Sequence, residues 1–156
     1  MAALSRIRHV KLPVTDLARS VAWYRDLLEL ELVAEFREQG ELRGAQLMHP
    51  ASGFGIALRE REFCAGKPDL AGFDVFAIEV GSVDDLHQLA ARAAERDYPH
   101  HEVVDRGEYG AFLNIIDPDG LCVRFLANNP LNAGRFTGID SDDQGGFTLY
   151  DTPTLG

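Results

Sequence analysis

The stretch HVKLPVTDL, residues 9–17, decides the fold. Across residues 7–14, Val10, Leu12 and Val14 fall on one face of an extended chain, and His9, Lys11 and Pro13 fall on the other. This period-2 alternation is typical of a half-buried strand. Asp16 can cap a following helix, because its carboxylate can accept a hydrogen bond from a free amide of the first turn. Apolar residues then recur at helical spacing: Leu17, Val21, Tyr24 and Leu28.

The same plan returns about 67 residues later. Residues 73–80 alternate in the same way, with Phe76, Ile78 and Val80 on one face. Ser82, with Asp85 three residues on, forms a capping-box pattern in its looser form with Asp. A second apolar helical stripe follows: Val83, Leu86, Ala90 and Ala93. An internal repeat of this kind indicates two modules of similar structure.

Three short strand candidates follow each helix. They cover residues 32–36, 44–48 and 54–58 in the first half, and 102–105, 111–116 and 121–126 in the second. A turn containing Pro and Gly joins the last two strands of each set, at residues 49–53 and 117–120, which predicts two hairpins. The predicted fold class is therefore α+β, with two βαβββ modules forming a curved, incompletely closed mixed sheet around a central groove.

These patterns divide the chain into four parts. The modules are expected at residues 5–60 and 73–127, with a connection at 61–72 and a C-terminal extension at 128–156. The extension is rich in Gly and Asp, which indicates irregular backbone, but it also carries apolar anchors: Phe136, Phe147, Leu149 and Tyr150. It either wraps the body, covers a groove or packs on a partner subunit, or else it is disordered.

Composition excludes some classes of partner. The formal charge of -10, from 25 acidic and 15 basic residues, disfavours nucleic acid, whose binding needs clustered Lys and Arg. No apolar run approaches the ~20 residues needed to span a bilayer, and no secretory apolar segment is seen at the N-terminus. With two cysteines, Cys64 and Cys122, we expect no disulfide and a cytoplasmic location.

Strand parity gives the side chains that line the groove, opposite the helix-packing face. These are His9, Lys11, Gly55, Ala57, Arg59, Val75, Ala77, Glu79, Cys122 and Arg124.

The run HVKLPVTDL, followed by Ser20, the sequence WYRD at 23–26 and Leu28, resembles the opening of vicinal oxygen chelate proteins. This superfamily includes glyoxalase I, fosfomycin resistance enzymes, extradiol dioxygenases and bleomycin-binding proteins. The closing turn DPDG, residues 117–120, is also similar to theirs, and the likeness covers residues 7–126. The resemblance implies the paired-module fold and a dimer, but it does not imply one function, because unrelated activities share this scaffold. One departure is Glu29, where the family usually has a Gly that ends the first helix.

The resemblance also implies four positions for a divalent metal, one on the first and one on the last strand of each half. They correspond here to His9, Ala57, Val75 and Arg124. The spacings 75 − 9 = 66 and 124 − 57 = 67 agree, so the correspondence has not slipped. One potential ligand in four remains, and the guanidinium of Arg124 donates hydrogen bonds only and always carries a positive charge. We therefore expect no metal and no other cofactor, since a catalytic metal site needs about three protein ligands.

Several groove residues have two interpretations. Arg124 is either an anion clamp or one half of an internal salt bridge, with Glu79 as the expected partner. His9 has two interpretations as well. It is an imidazole that acts as a hydrogen-bonding group or general base, or it is a remnant of an ancestral metal site whose hydrogen bonds are made to a neighbouring residue. Cys122 is either a nucleophile or a small buried hydrophobe. The loop residues His100, His101 and Tyr109 either reach the groove mouth or stay in solvent.

The leading hypothesis is a metal-independent protein that binds a small organic molecule in the groove. His9 and Arg124 would be the principal site residues, and Lys11, Ala57, Arg59, Val75, Glu79 and Cys122 would contact the ligand. The alternative is an isomerase, lyase or cyclase with His9 as base and Arg124 stabilising an enolate. A metal-dependent glyoxalase or dioxygenase is a weaker candidate, and a protein-interaction module with an empty groove is a third possibility.

Overall fold

The structure is a computed structural model that describes residues 3, 5–129 and 138–155. The first module contains strand β1 (Val10–Val14), helix α1 (Leu17–Leu28), and strands β2 (Glu31–Glu38), β3 (Glu41–Met48) and β4 (Gly55–Glu60). The second contains β5 (Ala77–Val80), α2 (Val83–Glu95), β6 (Val104–Asp105), β7 (Ala111–Ile116) and β8 (Cys122–Ala127). The predicted α+β, two-module fold class is confirmed.

Each module forms its own mixed, four-stranded sheet, in the orders β1-β4-β3-β2 and β5-β8-β7-β6. The first strand of each module pairs in parallel with the last, and the other pairs are antiparallel. Lys11 lies opposite Ala57 in the first module, and Ala77 lies opposite Arg124 in the second. The two registers are equivalent, and their offsets, 77 − 11 = 66 and 124 − 57 = 67, are the same as those read from the spacing of the sequence.

The alternation predicted for the strands matches their burial. Leu12 and Val14 of β1 and Val123, Phe125 and Ala127 of β8 are buried in one apolar core. Helix α1 packs on β3 and β4, and α2 packs on β7 and β8. The face of each sheet that points away from this core is called its groove face below.

Both predicted helix caps are present. The Asp16 side chain accepts a hydrogen bond from the Arg19 amide, and the Ser82 side chain accepts one from the Asp85 amide. At the end of α1, Glu29 itself adopts the left-handed conformation, with φ 54° and ψ 38°. Glu29 therefore occupies a backbone conformation that favours glycine. Its carboxylate pairs with Arg92 of α2 at 2.8 Å.

Several strand bounds differ from the predictions. β1 begins at Val10, and Ile7, which the alternation included, is 82% exposed. β5 begins at Ala77, although the Phe73 carbonyl still accepts a hydrogen bond from the Cys122 amide. β2 and β3 are longer than predicted, because they form a hairpin that closes at Gln39 and Gly40.

Within the C-terminal extension, β9 (Gly138–Ser141) pairs with β10 (Phe147–Tyr150) as a hairpin. The Phe147 ring packs edge-on against Tyr109 and lies under the Arg106 guanidinium, so this part of the extension contacts the second module. A Cβ at Gly138 would lie 1.9 Å from the Tyr150 ring, so a larger residue there would force that ring to move. Phe136 lies outside the described residues.

A buried hydrogen bond joins the two modules. The Tyr24 hydroxyl of α1 donates to Asp117 in the β7–β8 turn at 2.8 Å. The other carboxylate oxygen of Asp117 accepts from the amides of Asp119 and Leu121. Burial raises the pKa of Asp117 above its usual value, although these three donors favour the ionised form. Burial beside that carboxylate also raises the pKa of Tyr24, which keeps its proton.

We expect Tyr24→Phe to lower the free energy of unfolding by about 1–3 kcal/mol near neutrality, because the buried carboxylate loses a donor. The hydroxyl stabilises ionised Asp117, so its loss raises the pKa of that carboxyl further. The penalty should therefore grow as the pH rises through the Asp117 titration, and should shrink in acid, where the group is protonated. Urea unfolding near pH 4 and near neutrality measures both values.

Tyr98→Phe is the matched control, because its hydroxyl donates to Asp26 in an exposed contact at 3.0 Å. It should cost less than Tyr24→Phe. Equal penalties at the two pH values, or an equal loss for both tyrosines, would contradict the role assigned to the buried bond.

Candidate functional site on the groove faces

The groove face of the first sheet contains a cavity of about 480 Å³, called the first cavity below. All four strands of the first module contribute to its wall, together with His9 just before β1. The lining residues are His9, Lys11, Ala34, Glu35, Phe36, Gly44, Ala45, Gln46, Ala57, Leu58 and Arg59. Four of the predicted site residues (His9, Lys11, Ala57 and Arg59) therefore lie together.

His9 and Lys11 leave hydrogen-bonding capacity at this cavity. The Nδ1 atom of His9 is buried and has no hydrogen-bond partner. A buried polar atom of this kind costs about 1–3 kcal/mol when it stays unpaired. Lys11 is exposed, and within residues 5–129 and 138–155 it has no ion-pair partner. The first cavity is thus lined by an imidazole and by an ammonium group that has no ion-pair partner in these ranges.

Arg59, in contrast, is already engaged. Its Nη2 atom pairs with Glu38 at 2.8 Å, and its guanidinium lies 4.8 Å from the centre of the Phe36 ring. The Arg59 side chain is 18% exposed, so this pair is partly shielded from water. Arg59 and Phe36 therefore form a fixed wall of the cavity.

The groove face of the second sheet is organised around Arg124. Its Nη1 atom pairs with Asp74 at 2.6 Å, its Nε donates to Asn114 Oδ1 at 3.1 Å, and its guanidinium lies 5.3 Å from the Phe112 ring centre. Of the two interpretations of Arg124, the internal salt bridge is present, but its predicted partner, Glu79, was wrong. Glu79 accepts instead from Asn128 at 3.1 Å. Asp74 precedes β5 and lies on an irregular segment, which strand parity does not describe.

The other predicted residues of the second module lie on or near this face. Val75 is 38% exposed, and Cys122 is a half-buried free thiol whose backbone lies opposite Ile116. His101 lies 3.5 Å from the Asn114 amide, so one of the loop histidines does reach the residues around Arg124. His100 bonds instead to the Tyr98 carbonyl at 2.9 Å.

The structure does not bring all the predicted residues into one cavity. The first cavity is lined by the first module only, and Val75, Glu79, Cys122 and Arg124 lie on the second sheet. Sequence reasoning missed Asp74, Phe112 and Asn114. The register could have identified Asn114, since the β7–β8 hairpin places it directly opposite Arg124.

The residues present do not fit a divalent metal. At the four positions that correspond to ligands, only His9 has a suitable donor atom, and Arg124 carries a positive charge. No cluster of three or more His, Cys, Asp or Glu side chains able to hold a metal ion is found in the described ranges, 3, 5–129 and 138–155. The same ranges contain no helix long and apolar enough to cross a bilayer.

A family model described as the Glyoxalase/Bleomycin resistance protein/Dioxygenase superfamily matches residues 6–125. The chain belongs to this superfamily. A search of the curated proteins finds no match.

Solved structures of the superfamily have the same fold. A glyoxylase/bleomycin resistance protein/dioxygenase domain from Frankia sp. EAN1pec is 25% identical, with a TM-score of 0.64 over 82% of this chain and 95% of that one. TnmS3, an antibiotic binding protein from Streptomyces sp. CB03234, is 17% identical, with a TM-score of 0.66 over 82% and 99%. The fosfomycin resistance protein FosX from Listeria monocytogenes is 15% identical, with a TM-score of 0.66 over 83% and 98%.

The missing donors can be restored as a test of this correspondence. The triple variant Ala57→Glu, Val75→His and Arg124→Glu, with His9 retained, should bind one Zn²⁺ or Ni²⁺ per chain with a dissociation constant of about 1 μM or below. The parent chain should show no such binding by titration calorimetry. Adding His9→Ala to the triple variant should abolish the gain. If the triple variant folds but binds no metal, the four positions do not converge on one site.

Proposed function

We propose that this chain is a metal-independent binding protein that holds a small organic molecule at the groove face. The observation that carries the proposal is a cavity of about 480 Å³ that is lined by His9 and by Lys11, which has no ion-pair partner within residues 5–129 and 138–155. Apolar cavities with a few polar anchors are the usual design of small-molecule sites. That an antibiotic binding protein is built on the same fold is consistent with this function.

The charges at the first cavity favour an anionic or carbonyl-bearing ligand. Lys11 has no ion-pair partner within residues 5–129 and 138–155, whereas the neighbouring Glu38 pairs with Arg59 at 2.8 Å and the lining residue Glu35 makes a weak, exposed pair with Arg37 at 3.5 Å. His9 supplies a further polar group that can donate or accept a hydrogen bond. The apolar parts of the ligand would contact Ala34, Phe36 and Ala57.

The fluorescent anion 8-anilinonaphthalene-1-sulfonate is a suitable probe. Lys11→Gln should weaken its binding about two- to fivefold, and His9→Ala about three- to tenfold, because each removes one polar anchor from a partly solvated site. Lys67→Gln is the matched control, since Lys67 pairs with Glu62 away from the cavity. Prior dialysis against EDTA should change nothing. Equal effects of the two lysine substitutions, or a requirement for added Zn²⁺, Ni²⁺ or Mn²⁺, would refute the proposal.

The second candidate is a metal-independent isomerase, lyase or cyclase, and the unpartnered His9 nitrogen is the observation that favours it. His9 would accept a proton next to a carbonyl, and Arg124 would stabilise the developing anion. In that case His9→Ala would abolish turnover rather than weaken binding modestly.

The two free cysteines accord with a reducing compartment such as the cytoplasm.

We further propose that two copies of the chain complete the groove. The His9 and Arg124 halves lie on separate sheets, and each groove face exposes large apolar side chains: Phe36 is 47% exposed and Val75 is 38% exposed. A two-fold dimer would place the Arg124 face of one copy over the first cavity of the other. Each of its two sites would then contain both halves.

Mixing two defective variants tests this arrangement. His9→Ala and Arg124→Ala should each weaken binding of the sulfonate probe when studied alone. If the two proteins are refolded together at equal concentration, about a quarter of all sites should regain the parent affinity, since half of the dimers are mixed and each has one intact site. Sedimentation should report a dimer. A monomer at micromolar concentration, or no recovered fraction, would contradict the shared groove.

A further inference from the structure

A second cavity, of about 450 Å³, lies on the opposite side of the first sheet, between α1 and the outer strands. Its walls are mainly apolar. They comprise Leu17, Ala18 and Val21 of α1, Leu32 of β2, and Leu42 and Ala45 of β3. Its polar lining residues are Thr15, Asp16, Glu35 and Glu60. None of the functions discussed above uses this second cavity.

The second cavity exists because α1 does not cover the outermost strand. The helix packs on β3 and β4, and β2 is exposed along almost its whole length. Leu32 lies opposite Leu47, and Glu35 lies opposite Ala45, and both of these β3 partners are buried in the core. Leu32 and Glu35 share this face because a register shift lies between Leu32 and Ala34. A carboxylate therefore occupies a core-facing position, which apolar residues normally fill.

The charged residues that line the second cavity are all acidic. Its lining residues include three carboxylates and no Lys, Arg or His. Asp16 caps α1, and Glu60 is engaged by Arg43 at 2.8 Å. Among the residues that the structure describes, the ion-pair partner of Glu35 is Arg37 at 3.5 Å, and both side chains are about half exposed, at 47% and 59%. Such an exposed pair contributes little, so Glu35 can exchange its partner.

We propose that the second cavity binds a cationic amphiphile, an amine with an apolar body of moderate size. The ammonium group would pair with Glu35, and the apolar body would replace water against Val21, Leu32 and Leu42. Glu35 and Ala45 also border the first cavity, but there Lys11 and Arg59 add positive charge. The two sides of one sheet therefore select ligands of opposite charge.

Octylammonium is the probe, with octanol and octanoate as neutral and anionic analogues of the same length. Octylammonium should bind saturably, at one equivalent per chain, and should shift the backbone amide signals of Val21, Leu32 and Leu42 in heteronuclear NMR spectra. Octanol should bind more weakly and octanoate weakest of the three. Glu35→Gln should weaken octylammonium binding roughly two- to fivefold, the range expected for a half-exposed charged contact.

Two matched controls separate the site from general attraction to an acidic protein. Glu41→Gln removes the same charge from an exposed position of β3 that lines neither cavity, and it should leave the affinity unchanged. Ala18→Phe should fill the second cavity and abolish binding, whereas Ala91→Phe, at an exposed position of α2, should not. His9→Ala should also leave octylammonium binding intact, which makes this result independent of the first cavity.

Three outcomes would overturn the proposal. The first is the absence of shifts at Val21, Leu32 and Leu42, as expected if a second copy covers the cavity. The second is octanoate binding as tightly as octylammonium. The third is an equal loss of affinity for Glu41→Gln and Glu35→Gln. Sulfonate binding at the first cavity should survive Ala18→Phe, so failure of one site does not imply failure of the other.

Discussion

The buried hydrogen bond from Tyr24 to Asp117 is the constraint on which the rest of the structure depends. It ties a helix of the first module to the turn that begins the last strand of the second. Asp117 also accepts hydrogen bonds from the backbone amides of Asp119 and Leu121. This one carboxylate therefore fixes both the β7–β8 hairpin and its position against α1. Asp119 in turn accepts from the Thr15 amide, just before that helix. Because β8 carries Arg124, this cluster also sets where the second groove face lies relative to the first.

Much of the fold could be predicted from the sequence, because its signals are local. Alternation identified the core faces of β1 and β8, and Asp16 and Ser82 identified the helix starts. The bounds at Ile7 and Phe73 were predicted less well, since alternation continues into segments that pair irregularly or not at all. The exposure of β2 could not be predicted either. It depends on how far α1 reaches across the sheet, which is a property of packing between elements rather than of any strand pattern.

The candidate site could be predicted from the sequence to about the same extent as the fold. Parity placed His9, Lys11, Ala57 and Arg59 on one face, and the first cavity contains all four. Parity could not identify the partner of Arg124, because Asp74 reaches it from outside the regular strand. It also could not show that the residues predicted for one site lie on two separate sheets. The internal repeat establishes that the modules are alike, but their relative placement depends on contacts such as Tyr24 with Asp117, between residues 93 positions apart.

The net charge of the chain is a poor guide to what it binds, and the first sheet illustrates the reason. A charge of -10 suggests a cationic ligand, whereas Arg124 and Lys11 suggest an anionic one. These two expectations for the ligand's charge conflict only if the protein has a single site and a uniform electrostatic potential. Side chains on a strand alternate between the two faces, so one thin sheet can present Lys11 and Arg59 on one side and Leu32 and Glu60 on the other. Charges on exposed surfaces are screened within about 10 Å at moderate salt, and each cavity therefore responds mainly to its own lining. Ligand charge is accordingly a property of the face, and the acidity of the whole chain adds only a weak background to both.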